Sequence, residues 1–368
     1  MSRVLETFLD LVRISSPTGR EAAVAAYAAE ALTAAGFDVR FDDTMAVTGS
    51  DSGNLIATFP GALPGGMLAF SAHMDCVQPC EGVEPVVADG IVRSAGDTVL
   101  GGDDKVGVAA IIEAARRLAE EGGERRALKV LLTVSEEDGL LGAKALSSED
   151  ASAGLCLVLD ADGPVGGIVT AAPSHHTFKA VFSGRAAHAG VEPEKGVSAI
   201  RMAASAVQRM DLGRLDPQTT ANVGTIAGGS ATNVVAPECT LTGECRSLDR
   251  AMAEKVRDAM DAAMREAAAE HGGGVDVAWT LAYVGFSVPD DAPAVRAVES
   301  ACASIGVTPR CYATGGGSDA NVFASRGTPT LVLGSGMTDV HSTDESLAVV
   351  ELERLADLLV AMARTAGE

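Results

Sequence analysis

The sequence predicts an α/β chain carrying an inserted, smaller α+β domain, and three observations lead there. Apolar, β-branched runs alternate with helically spaced segments up to Pro173. From residue 174 to 285 the order becomes β-α-β-β-α-β, the ferredoxin-like unit. After residue 286 the first texture returns, which predicts one discontinuous domain, 1–173 with 286–368, interrupted by another, 174–285.

The elements follow in order. "GREAAVAAYAAEALTAAGF" spaces Ala, Val, Leu and Phe as a helix does and stops at Gly36. "NLIATFPG" and "MLAFSAH" are short apolar runs bounded by Gly and Pro, hence strands. "KVGVAAIIEAARRLAEE" is a helix closed by Gly122 and Gly123, followed by strand "ALKVLLTV", helix "GLLGAKAL" and strand "LCLVLDA". In the insertion, "HHTFKAVFSG" alternates as a half-exposed strand, and helix "GVSAIRMAASAVQRM" follows. Strands "TANVGTIAGG" and "ECTLTGECRS", the helix "DRAMAEKVRDAMDAAMREAAAEHG" and strand "VDVAWTLAY" complete it. A helix near Ala292 to Ser304, strand "TPTLVLGS" and a last helix from about Ser346 close the chain.

Composition narrows the function classes. The formal net charge is −22, from 28 Lys and Arg against 50 Asp and Glu. A nucleic acid or an anionic membrane requires a basic footprint, so neither is expected as a partner. No apolar stretch has the length of a membrane span, and the N-terminus lacks the basic-then-apolar order of a signal peptide. Seven cysteines, odd in number and without zinc-finger spacing, read as reduced thiols of a cytoplasmic protein. Cys76 and Cys80 are expected to pack rather than to ligate.

Metal-binding side chains recur where strands end. "AFSAHMD" ends in His73 and Asp75; "GGDDKVG" puts Asp103 and Asp104 at a helix start. "TVSEED" ends in Glu136 and Glu137, "LVLDADG" in Asp160 and Asp162, and "GSGMTDVHSTDE" carries Asp339 and His341. Each has a plain structural explanation alone. His73 could be a satisfied loop or core histidine. Asp103 and Asp104 suit the positive end of a helix dipole, and Ser342 with Glu345 reads as a capping box before the final helix. Capping does not explain five such tips in succession. Histidine nitrogen with carboxylate oxygen suits zinc, with manganese or cobalt as alternatives.

These motifs, with "SEEDGLLGA", "GRAAHAGVEPEKGVSAI" and "VHSTDE", resemble the di-zinc metallopeptidases that include peptidase T, carboxypeptidase G, aminoacylase and succinyl-diaminopimelate desuccinylase, the peptidase T-like branch above all. The resemblance implies a zinc-peptidase-like α/β/α catalytic domain and a ferredoxin-like lid/dimerisation domain. It implies two Zn2+ per subunit, with Asp103 bridging, His73 and Asp160 on one ion, and Glu137 and His341 on the other. The family pattern sets the bridging Asp two residues before Lys105. Asp160 is chosen because it ends its strand, with Asp162 the alternative. A cis peptide is expected between Asp103 and Asp104.

By the same resemblance Asp75 orients the His73 imidazole, Glu136 is the general base, and His188 of the partner subunit donates to the developing oxyanion. Asn233 and Arg246 would hold the substrate backbone and carboxylate, and the "TGGGSDAN" loop, with Gly316 and Gly317, would line the substrate pocket. The implied activity is hydrolysis of short peptides by a tripeptide aminopeptidase acting as a homodimer through the inserted domain. The alternatives are an N-acyl-amino-acid deacylase or carboxypeptidase, and, in another class, a non-catalytic metal-binding protein. His175, His176 and His271 have no evident partners, and Trp279 reads as core. Neither glycine loop is a nucleotide fingerprint.

Overall fold

A computed structural model describes residues 1–367, which form two compact units. The first contains 1–170, 288–313 and 318–367 of the described residues; the second contains 171–287 and 314–317. The division runs close to the expected 174 and 285, except that residues 314–317 group with the insertion. The reason is local. Gly317 lies flat against Tyr283, so close that a Cβ there would meet the ring at 2.2 Å, and the Arg246 guanidinium donates to the Gly315 carbonyl.

The first unit is built on a mixed sheet ordered Asp38–Phe41, Leu55–Phe59, Leu128–Thr133, Leu68–His73, Leu155–Ala161, Thr330–Gly334 and Gly167–Ala172. Its middle four strands are parallel. Their near-continuous apolar sequences are what a strand covered on both faces requires, and Leu128–Thr133 and Leu68–His73 are buried throughout. The helix Gly102–Glu121 lies between two of these strands in sequence and gives the core Val106, Val108, Ile111, Ile112 and Leu118. Parallel strands share one carboxyl-end edge, and there His73, Glu136, Glu137 and Asp160 emerge, as open α/β sheets place their ligands. A four-stranded sheet, Met337–Thr338, Ser346–Ala348, Ile91–Ser94 and Pro85–Ala88, was not legible because its strands are two to four residues long.

The second unit is an antiparallel sheet ordered Gly213–Asp216, Thr219–Gly228, Glu238–Ser247, Ser174–Ser183 and Gly274–Tyr283. Apart from the short first strand this is the ferredoxin-like order. Helices Ala199–Arg209 and Arg250–Glu270 cover one face, and their Met202, Met260 and Met264 meet Phe178, Phe182 and Leu241 in a separate core. Trp279 packs against that core and donates its indole N–H to Asp261.

Candidate metal centre and active site

Within the first unit, one carboxylate faces two imidazoles. Asp103 Oδ1 lies 3.0 Å from His73 Nε2, and Asp103 Oδ2 lies 3.2 Å from His341 Nε2. Asp160 Oδ1 is 3.8 Å from His73 Nε2 on one side, and Glu137 Oε1 is 3.0 Å from His341 Nε2 on the other. The approach of His341 lacks hydrogen-bond alignment, so Glu137 Oε1 is a buried acceptor without a donor among the described residues. His73 Nε2 and Asp103 Oδ1 are within hydrogen-bond distance while Glu137 Oε1 is left over, and carboxylates that converge on imidazoles in this way fit a cation between them. His73, Asp103 and Glu137 place their donor atoms within 4.8 Å of one another, a spacing one ion can span.

His73, Asp104 and Asp160 also fall within 4.8 Å. Both Asp104 oxygens, however, already accept backbone N–H groups, from His73 at 3.3 Å and Gly107 at 3.1 Å. Asp103 is therefore the freer donor of the pair, and the peptide joining the two is cis. Asp162 is exposed, whereas Asp160 is nearly buried.

The charges explain themselves. Burial works to raise Asp103, but the adjacent His341 and His73 imidazoles outweigh it and hold the carboxyl below its usual range. The close Asp103 and Glu137 carboxylates push His341 up to about 10. Burial, then repulsion from Asp103 and Glu136, raises Asp160. His341 also has φ +61°, a left-handed conformation costing a β-carbon residue roughly 1–2 kcal/mol, so surrounding structure holds it there.

Asp75 has a wider part than the sequence suggests. The nearest partner of His73 Nδ1 is the Asp75 backbone carbonyl at 3.0 Å; the carboxylate stands at 3.4 Å. That carboxylate accepts the N–H groups of Glu136 and Glu137, at 3.0 and 3.2 Å, and the Thr18 hydroxyl at 2.8 Å. It therefore fixes the neighbouring acids as well as the imidazole. Ser135, with φ +52°, is held by Glu21, which is fully buried and accepts from Ser135 N at 3.0 Å and Gly19 N at 2.9 Å.

Glu136 is 8% exposed, and its carboxylate accepts no hydrogen bond from the described residues. Burial raises its pKa well above the ordinary carboxylate value, His73 opposes, and Asp319, Glu137 and Asp75 add repulsion. Asp319 is a site residue the sequence reading passed over inside "TGGGSDAN". It is 2% exposed, takes the Thr133 hydroxyl at 2.5 Å, and is pushed up to about 6, chiefly by burial. Beside Glu137 a recess of about 370 Å3 is lined by Pro17, Thr18, Cys76, Val77, Gln78 and Asp138. Cys76 and Cys80 are buried packing residues, and all seven cysteines are free.

The expected capping box is corrected. Ser342 and Glu345 do not cap the final helix, which begins at Val349 with Ala348 before it. The Ser342 hydroxyl donates to the Asp339 carbonyl, and the Glu345 carboxylate turns away to Gly101 N and Asp103 N, at 2.8 and 2.9 Å. The capping pattern was matched by sequence spacing, but the strand Ser346–Ala348 intervenes.

The remaining candidates lie in the second unit. His188 is exposed; its Nδ1 accepts from Gly190 N at 3.2 Å, which leaves Nε2 as the protonated, donating nitrogen. Ala189 N donates to the Asn233 carbonyl at 2.9 Å, so those two segments run side by side. Arg246 is forked onto Glu244 through Nε and Nη2, at 3.1 and 3.0 Å, while Nη1 reaches the Tyr283 hydroxyl at 3.3 Å. His175 does have a partner, Glu244 Oε2 at 2.8 Å; the two meet diagonally across neighbouring strands, Glu244 standing two residues from Arg246, which is the register partner of His175, and no one-dimensional pattern displays that.

These bonds, His175 first, hold Glu244 down to about 2 from an ordinary 4.5. A depressed carboxyl stabilises the fold above its unfolded pKa, and that contribution disappears as pH falls through the folded one. Glu244→Gln is thus expected to lower the melting temperature at pH 6, and the gap should narrow between pH 4.5 and 2. Melting curves of both proteins across that window check it; a constant gap would count against the ion pair.

Three comparisons bear on this geometry. Residues 69–365 match the family model described as peptidase family M20/M25/M40. Over 366 residues the chain is 43% identical to the uncharacterized protein YqjE of Bacillus subtilis (strain 168), covering 100% of this chain and 99% of that one. It is similar to the crystal structure of aminopeptidase PepT from Bacillus cereus ATCC 10987, with TM-score 0.91 and 43% identity over 98% of this chain and 97% of that one. A tripeptidase from Staphylococcus aureus subsp. aureus mu50 gives TM-score 0.94 and 36% identity over 98% of this chain and 97% of that one.

Proposed function

This chain belongs to peptidase family M20/M25/M40 and is a metal-dependent peptidase, and from that premise we propose that it is a tripeptide aminopeptidase using two zinc ions. The observation that carries the reading is Asp103, with one oxygen toward His73 and the other toward His341. Asp103 would bridge, with His73 and Asp160 on one ion and Glu137 and His341 on the other. When bound, a pair of divalent cations supplies Lewis acidity at the scissile carbonyl and lowers the pKa of the attacking water toward about 7.

The chain's own residues manage the proton. Glu136, whose carboxylate accepts no hydrogen bond from the described residues and is shielded from solvent, takes a proton from the attacking water and returns it to the leaving amine. The backbone N–H bonds of Glu136 and Glu137 to Asp75 keep the base beside its ligand neighbour. His188 of the partner subunit would donate from Nε2 to the oxyanion, a contribution of roughly 3–4 kcal/mol for one such donor. Asn233, Arg246, Gly316 and Gly317 would contact the peptide.

Two observations support the finer points. The recess beside Glu137 carries Asp138, and acids there suit a free α-ammonium group better than an acylated one. In the second unit the strand Thr219–Gly228 is paired by its short neighbour only as far as Ala221, and Ile226 is 54% exposed. An open strand edge of that kind pairs readily with another copy of the same chain. The deciding experiment assays tripeptides, N-acyl-amino acids and C-terminal glutamyl peptides with added zinc or cobalt, alongside sedimentation of the protein. Tripeptides with a free amine should be cleaved fastest, by a dimer. Preference for N-acylated substrates would replace this reading with the deacylase, and no turnover of any would favour a binding protein.

A further inference from the structure

The glycine loop before Asp103 is an anion cradle whose anion comes from the other end of the sequence. Gly101, with φ +71°, turns the backbone so that successive N–H groups at the start of the helix Gly102–Glu121 point one way. The Glu345 carboxylate fills that concavity. Oε2 accepts from Gly101 N at 2.8 Å and Oε1 from Asp103 N at 2.9 Å, with a further bond from Leu100 N–H. The fit is close: a Cβ on Gly102 would stand 2.8 Å from Glu345 Oε1. Glu345 itself is 2% exposed.

Two loops are tied by this contact. One delivers Asp103; the other, from residue 339 to 345, delivers His341 in its left-handed conformation. Neither loop has its geometry set by a regular element at the donor residue: Asp103 has non-helical angles inside its helix, and His341 follows a two-residue strand by three positions. We propose that Glu345 is a positioning residue of the metal centre, fixing Asp103 relative to His341 and so setting the affinity for the ion these two share with Glu137.

The proposal rests on the ligand assignment above, and its test separates the two. Wild type, Glu345→Ala, Glu345→Gln and His341→Ala are loaded with Co2+, dialysed against a weak chelator, and their metal counted by mass spectrometry. Wild type should keep two ions per chain. Glu345→Ala should keep one and release the other at least tenfold faster, the range in which supporting residues act on metal affinity. Glu345→Gln, nearly the same shape, should fall between, because its amide accepts one N–H but sets its NH2 against another. If Glu345→Ala does not fold, Glu345→Gln decides. A double Glu345→Ala/His341→Ala protein should lose no more metal than either single change, since both act on one ion. Two ions retained in the Glu345 variants with unchanged release would overturn the positioning role. Fewer than two ions in wild type would instead overturn the ligand assignment.

Discussion

Glu136→Gln is expected to leave metal content unchanged and to lower kcat by about 1000-fold, within the range for loss of a general base. That factor corresponds to roughly 4 kcal/mol of transition-state stabilisation. The substitution preserves shape, and no described residue donates to the carboxylate, so the change removes proton transfer and little else. The metal-free variant should also be no less stable than wild type. Burial raises the Glu136 pKa, so its contribution to folding is present below the unfolded value and lost as pH rises through the folded one. At neutral pH the wild-type carboxyl is therefore a burden that glutamine relieves. Steady-state kinetics, metal counting and melting in chelator check the three parts. Turnover near that of wild type would remove Glu136 from the mechanism.

Asp103→Asn should have the second large effect. Asp103 offers an oxygen to each imidazole, so its loss touches both ions, whereas His341→Ala should touch one. Asparagine keeps the outline but presents one neutral oxygen and an NH2 group that repels a cation. Affinity for both ions should fall by at least about 100-fold, more than a residue outside the ligand set would produce, and activity should follow occupancy. Equilibrium dialysis with zinc measures it. Unaltered binding of two ions would transfer the bridging role to Asp104, the other acid within reach of His73 and Asp160.

Much of this was written locally. The strands "MLAFSAH", "ALKVLLTV" and "LCLVLDA" declare themselves by apolar runs, and each is followed at once by polar residues with metal-ligand chemistry. The ferredoxin-like insertion was equally plain, because alternation and helical spacing are properties of ten or twenty neighbouring residues. Motif order alone pointed to the peptidase family. The strands of two to four residues, by contrast, are too short for any period to emerge.

Tertiary structure decided the partnerships. Sequence could not separate Asp103 from Asp104 on chemistry, since the difference is that backbone N–H groups of His73 and Gly107 already occupy Asp104. It assigned Glu345 to the nearest helix, whereas the carboxylate caps a loop 242 residues away. It left His175 without a role, although a neighbouring strand brings Glu244 to its ring. The physical reason is common to all three. Periodic burial is set by adjacent residues, but a buried charge or N–H must be satisfied by whatever group the folded chain brings near, and separation along the sequence does not limit that choice.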